Sequence, residues 1–205
     1  MTTRIDIAMV PSEAAHFGKA DAYVVVDALR ATTTIATMFA RGVRRLRTVT
    51  ATEAALAAKT GPGILLFGEV GGLRPDRFDH GNSPVETGAL DLAGKDAVLM
   101  TSNGTKALCL VAGLGPTVAG SLVNLSAVVD WAAVAERVLV VCAGNHGARS
   151  FSLEDFAVAS CIVQELVSRS SSIVLGDAAR LALTLETPEG MIHRSEHAEV
   201  TRALG

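Results

Sequence analysis

A carboxylate, a guanidinium and three consecutive hydroxyls follow one another in Asp27-Ala-Leu-Arg-Ala-Thr-Thr-Thr34, directly after the apolar run Tyr23-Val-Val-Val26. The run has the pattern of a buried strand, and the hydroxyls open an apolar helical segment. Asp27 therefore stands at the carboxyl end of a strand, with Arg30, Thr32 and Thr33 beside the amino end of the next helix. Helix starts carry unpaired N–H groups and partial positive charge, so they attract anions. A carboxylate next to such a site repels a phosphate unless a cation lies between the two. An acid that holds Mg²⁺, while Arg30 and the helix start hold phosphate or sulfonate oxygens, reconciles them. Capping and packing also explain an Asp before a Thr run, but ligands favour the carboxyl ends of such strands.

Other segments repeat this order of strand, small polar residues and helix. Ile64-Leu-Leu-Phe-Gly-Glu69 ends an apolar run at an acid, and Val98-Leu-Met-Thr-Ser-Asn-Gly-Thr-Lys106 ends one in hydroxyls, an amide and a lysine. Thr117-Val-Ala-Gly-Ser-Leu-Val-Asn124 is a weaker version. Val138-Leu-Val-Val-Cys-Ala-Gly-Asn145 runs into His146 and Gly147, and Phe151-Ser-Leu-Glu-Asp155 opens the next helix. In one parallel sheet these ends share an edge. They collect Asp27, Glu69, Glu154 and Asp155 as metal ligands or proton carriers, and Arg30, Lys106 and the helix starts at Thr32 and Thr105 as oxyanion binders. Such a set is what a Mg²⁺-assisted phosphoryl site requires. Each part also has a plainer explanation. Ser102-Asn103-Gly104-Thr105 looks like a phosphate-cradling turn, but Asn-Gly is a common tight turn, and the full P-loop pattern is absent. Ser152-Leu-Glu-Asp155 has the form of a helix cap. His146 and His80 are candidate general acids whose plainer role is as solvated loop residues.

The elements that must position these residues alternate along the chain. Ile5–Val10, Tyr23–Val26, Leu46–Val49, Ile64–Phe67, Ala97–Met100, Thr117–Ala119 and Val138–Cys142 read as strands rich in Val, Ile and Leu. Thr33–Ala40, Thr52–Ala58, Thr105–Val111, Ser126–Ala135 and Leu153–Val167 read as helices. The near-continuous apolar strands are those of a sheet buried on both faces. The expected architecture is α/β, a three-layer α/β/α sandwich on a mainly parallel or mixed central sheet, in a single domain over residues 1–205. Gly68 to Gly81 is a long polar loop leading into Asn82-Ser83-Pro84, and loops of that length inside compact domains are usually functional or disordered. Ser168 to Ser172 reads as a surface loop before an amphipathic carboxyl-terminal stretch.

The 205 residues are 49% hydrophobic and carry a net charge of −3, with mean hydropathy +0.38, which together describe a folded chain with a large core. The longest apolar stretches are too short to span a bilayer, and the amino terminus lacks the pattern of a secretory signal. No membrane partner is expected. A general nucleic-acid surface is excluded for want of a basic tract and of stacking aromatics. The one basic cluster, Arg41, Arg44, Arg45 and Arg47, reads as decoration of a helix end and the following strand. Cys109, Cys142 and Cys161 read as buried thiols outside any metal site or disulfide, in keeping with the cytoplasm. The apolar carboxyl-terminal segment leaves room for a homodimer.

Taken in order, Val26-Asp-Ala-Leu-Arg-Ala-Thr-Thr-Thr34, Gly68-Glu69, Phe78-Asp-His-Gly-Asn-Ser-Pro84, Thr101-Ser-Asn-Gly-Thr-Lys-Ala107 and Phe151-Ser-Leu-Glu-Asp155 resemble the 2-phosphosulfolactate phosphatase family. Gly176-Asp-Ala-Ala and Ser195-Glu-His-Ala resemble its carboxyl-terminal pattern. The resemblance implies an α/β/α fold and Mg²⁺-dependent hydrolysis of 2-phosphosulfolactate to sulfolactate and phosphate, as in coenzyme M biosynthesis. By position it implies a site of Asp27, Arg30, Glu69, Asn82, Asn103, Lys106, Glu154 and Asp155. Thr32, Thr33, Ser83, Ser102 and Thr105 join it as neighbouring substrate contacts, and Asp27, Glu69 and Asp155 as the catalytic acids. The chain departs from the family at Val70, where many relatives carry an arginine; Arg74 or Arg77 could substitute, or the substrate is another small anionic phosphate ester. A non-catalytic anion-binding protein is the alternative from a different class. A haloacid-dehalogenase-like phosphatase with Asp27 as nucleophile is a weaker fit, because Leu29 stands where that chemistry has its second acid.

Overall fold

The computed structural model describes residues 3–170 and 172–203; Met1, Thr2 and Ser171, which belong to the amino-terminal and 168–172 readings above, lie outside the described residues. The strands are β1 (Thr3–Ala8), β2 (Ala22–Val26), β3 (Arg45–Val49), β4 (Ile64–Gly68), β5 (Asp96–Met100), β6 (Thr117–Gly120), β7 (Arg137–Cys142) and β8 (Ile173–Leu175). The helices are α1 (Ala31–Ala40), α2 (Thr52–Ala58), α3 (Pro84–Gly88), α4 (Gly104–Ala112), α5 (Leu125–Ala132), α6 (Leu153–Ser168), α7 (Asp177–Ala182), α8 (Pro188–Ile192) and α9 (Glu196–Ala203). Short 3₁₀ turns cover Pro11–Phe17 and Leu122–Asn124. The first strand ends two residues earlier than its apolar run, at Ala8, because Pro11 opens the first of these turns.

All strand-to-strand ladders are parallel, as the α/β pattern implies. They form two sheets, a five-stranded one in the order β6-β2-β7-β1-β8 and a three-stranded one in the order β3-β5-β4. The strand ends therefore do not share the edge of one sheet, which corrects the reading above. Burial explains the division. β2 and most of β7 are buried and take the middle of the large sheet, whereas β3 turns Leu46 and Thr48 to one face and exposed Arg45 and Arg47 to the other, where only Val49 is buried, with Ala55 of α2. A strand with one polar face suits a small sheet that has a solvent-facing side.

The core lies in three parts. Between the sheets, Ile35 and Met38 of α1 and Ala107, Leu108 and Val111 of α4 pack with Tyr23, Val25, Leu139, Phe67 and Leu99. The far face of the large sheet is covered by α5, α6 and α7, and α2 covers the outer face of the small one. The large sheet with helices on both faces is the α/β/α sandwich. Helix α6 is buried nearly all round because α5, α7, α8 and α9 pack against the sides that do not face the sheet. Cys142 and Cys161 are buried as expected, but Cys109 is exposed, on the outer side of α4. Arg44 and Arg45 share Asp96 at the start of β5, and Arg41 donates to the Leu90 carbonyl, as decoration of a helix end and strand. Among the described residues no helix is long and apolar enough to cross a membrane.

Candidate active site

The turn after β2 is held by its own side chains. Asp27 Oδ1 accepts the Ala31 N–H at 3.1 Å, and Thr32 Oγ1 both accepts the Asp27 N–H at 3.1 Å and donates to the Asp27 carbonyl at 2.8 Å. Thr33 Oγ1 donates to the Ala28 carbonyl at 2.9 Å. These threonine hydroxyls brace the turn, and Asp27 is fixed at the mouth of α1. Gly104, the first residue of α4, approaches it so closely that a Cβ there would stand 2.4 Å from Asp27 Oδ2. No larger residue fits unless the carboxylate moves.

From the small sheet, Glu69 follows β4 and joins two loops. Its carboxylate accepts the Ser102 N–H at 2.6 Å, the Ser102 hydroxyl at 3.2 Å and the Gly72 N–H at 2.7 Å. Arg30 reaches across from the large sheet and donates to the Gly72 carbonyl at 3.2 Å. After β5, the Thr101 and Thr105 hydroxyls bond each other's backbone, which makes Thr105 a structural cap for the turn. Asn103 Oδ1 accepts the N–H groups of Gly147 and Ala148 at 2.8 and 3.1 Å, and the Lys106 ammonium lies beside Gly147. The loop after β7 needs this support, because Gly144, His146, Gly147 and Ala148 all take positive φ.

From the start of α6, Ser152 caps Asp155 at 3.2 Å, so the capping reading holds. The Asp155 carboxylate has a further role. Its oxygens accept the Ala28 N–H at 2.8 Å and the Gly144 N–H at 3.0 Å, which ties the ends of β2 and β7 together. Glu154 is 2% exposed and its Oε2 has no partner within the protein; Asn82, 4% exposed, has an equally unpartnered Oδ1. Ser83 caps α3 through the Glu86 N–H.

Arg30, Glu69, Ser102 and Asn103 line one cavity of about 250 Å³, together with Gly72, Asn145, His146 and Gly147. Asp27, Glu154 and Asp155 are buried and are not among its lining residues. Glu196, His197 and Thr201 of α9 complete it. Sequence reasoning missed these three as site residues, since they follow no strand; the Ser195-Glu-His-Ala motif was the available signal. His80 stacks on Phe67 with ring centroids 4.7 Å apart, and burial lowers its pKa from the ordinary 6.5. Neither His80, Arg74 nor Arg77 lines the cavity, and Arg74 donates to the Phe78 carbonyl instead.

The buried acids raise one another. Burial pushes Asp27 from 3.8 to about 6, with the Ala31 N–H and the charge of His197 working against that rise and Glu69 and Glu154 adding to it. Asp155 is held well above the ordinary value by burial and then by the Asp27 charge, and its two N–H donors only partly offset this. Acids so placed favour a cation. Among the described residues, no three His, Cys, Asp or Glu side chains form a ready ligand cluster. Mg²⁺ does not need one, because it keeps several waters and binds through one or two carboxylates plus substrate phosphate. Asp27 and Glu154, whose Oε2 lacks any partner in the protein, fit that requirement.

Comparison with known proteins identifies a family. A family model described as 2-phosphosulpholactate phosphatase matches residues 9–205. The chain is 37% identical over 206 residues to a probable 2-phosphosulfolactate phosphatase of Thermotoga petrophila, covering 98% of this chain and 86% of the relative. It is 40% identical over 193 residues to a protein of the same printed name from Deinococcus radiodurans, covering 90% and 79%. A third such protein, from Carboxydothermus hydrogenoformans, is 37% identical over 206 residues, covering 98% and 84%. On its residues, its fold and these matches, the chain belongs to the 2-phosphosulfolactate phosphatase family, a family of phosphoric-monoester hydrolases.

Proposed function

We propose that this protein is a Mg²⁺-dependent phosphatase that hydrolyses a small anionic phosphate ester, with 2-phosphosulfolactate, cleaved to sulfolactate and phosphate, as the first substrate to test. The observation that carries the reading is the pairing of buried acids, one of them with an unpartnered oxygen, with a cavity lined by Arg30 and by the loops after β5 and β7. Asp27 and Glu154 would hold the cation, which neutralises charge on the phosphoryl oxygens when bound. Arg30 grips phosphate oxygens through its planar fork. Lys106, beside Gly147, adds positive charge at the same wall. Glu69, an acid on the cavity wall, takes the proton of the attacking water. The water oxygen bonds to phosphorus as the ester P–O bond breaks, and His197 returns a proton to the departing alkoxide. Asp155 fixes the Ala28 and Gly144 backbone and so positions Asp27. A cytoplasmic location and a part in coenzyme M formation belong to the same reading.

Phosphate release from 2-phosphosulfolactate and from simple phosphomonoesters, with and without Mg²⁺, tests it. Turnover that requires Mg²⁺ and is lost in Asp27→Asn is the expected result. Binding of the esters without any phosphate release would instead identify an anion-binding protein on this fold.

A further inference from the structure

A second cavity, of about 680 Å³, adjoins the first and shares Arg30 and Thr201 with it. It is the larger of the two, and its volume is in the range of pockets that take drug-sized ligands, roughly 300–1,000 Å³. Its wall is apolar: Leu29, Val85, Leu122, Val123, Val158 and Ile192 contribute most of it. On that wall Thr33 already donates to the Ala28 carbonyl and Ser83 caps α3, while His193 and Thr201 add two further polar groups. Val85 and Val123 are 83% and 66% exposed, more than side chains of that type are when they have a packing partner. Arg30, at the junction with the catalytic cavity, supplies a cation at the inner end, and Glu86 on the wall disfavours a second anion farther out.

We propose that this groove receives the apolar arm of the substrate, so that the preferred ester is a phosphomonoester whose phosphate sits at Arg30 and whose body extends several carbons along Leu122 and Val123. The inference rests on the phosphatase reading for the placement of the phosphate, and it narrows the substrate class from any small anionic ester to an extended one. A three-carbon acid alone is accommodated in the cavity of about 250 Å³ and leaves the groove empty. The occupant is argued from charge and continuity: Arg30 at the junction, mainly apolar surface beyond it, and Glu86 opposing a second anion.

The test separates binding from turnover. Methyl-, butyl- and hexylphosphonate, which cannot be hydrolysed, are titrated calorimetrically into the protein with Mg²⁺, and phosphate release is followed from the matching alkyl phosphates. Burial of each added methylene predicts a fall in Kd of up to about fourfold. The slope should flatten in Val123→Asp, and in Val85→Asp as a second exposed position if the first variant loses its circular-dichroism spectrum. A slope of zero in the wild type overturns the proposal. So does a wild-type dimer that becomes monomeric in Val123→Asp with no chain-length dependence in either, which makes the groove a contact between copies. If phosphonate affinity rises with chain length but no ester releases phosphate, the groove stands and the phosphatase reading falls.

Discussion

Asp27→Asn should abolish turnover and, in the absence of metal, make the protein more stable. The carboxyl is raised from 3.8 to about 6, chiefly by burial, so keeping it ionised in the folded protein costs about 3 kcal/mol. A raised carboxyl contributes its full stability below pH 3.8 and loses it as pH climbs through about 6. At pH 8 the wild type therefore bears the whole cost, and the asparagine variant bears none of it. The Asn Oδ1 still accepts the Ala31 N–H, but the new amide N–H groups face Gly104 and take back roughly 1–2 kcal/mol for lack of an acceptor. The net expectation is a gain of about 1–2 kcal/mol at pH 8 that reverses to a loss of about 1 kcal/mol at pH 4. Urea unfolding of EDTA-treated wild type and variant at both pH values measures it. Added Mg²⁺ should then stabilise the wild type and leave the variant almost unmoved. A variant no more stable than wild type at pH 8, or a gain that does not depend on pH, would refute the reasoning.

Arg30→Lys should lower kcat/KM at least about tenfold, because the ammonium keeps the charge and loses the two-oxygen grip; steady-state kinetics on the best ester checks this. Gly104→Ala places a methyl 2.4 Å from Asp27 Oδ2 and 2.6 Å from the Ala31 Cβ, so kcat should fall about a hundredfold while the circular-dichroism spectrum is kept. His197→Asn should cost on the order of a hundredfold on an alkyl ester and little on an aryl ester, whose leaving group needs no proton. Equal losses on the two esters would make His197 a packing residue. Asn103→Ala leaves the Gly147 and Ala148 N–H groups without their acceptor, and thermal unfolding should register a loss of about 1–3 kcal/mol.

The chain announces most of its architecture. β2 and β7 are rich in Val and almost wholly apolar, and α1, α4, α5 and α6 have helical spacing after their strands, so those elements stand where periodicity puts them. Asp27, Glu69 and Asn103 stand out in sequence because each sits just after a strand, and Asp155 because it belongs to the helix-start motif Ser152-Leu-Glu-Asp155. The split into two sheets was present only as the alternation in Arg45-Leu-Arg-Thr-Val49, a one-faced pattern within an otherwise two-faced set. β8, α3, α7, α8 and α9 are short and weakly apolar; helices of that length owe their stability to docking, here largely against α6, which no local pattern encodes. Thr32, Thr33 and Thr105 illustrate a different limit. Sequence places their hydroxyls near the site, but only coordinates show them engaged with backbone.

Because β3, β4 and β5 form their own sheet, the acids of the site stand on two separate platforms. Glu69 travels with the small sheet, whereas Asp27 and Asp155 travel with the large one, and the layer of α1 and α4 is the spacer between them. The gap across the cavity is therefore set by the thickness of that spacer. Its gauge blocks are buried side chains such as Met38 and Leu108, which touch no ligand. Trimming one of them lets the platforms settle toward each other, and enlarging one wedges them apart. Activity is thus adjustable from inside the core, through residues that an inspection of the cavity wall would pass over.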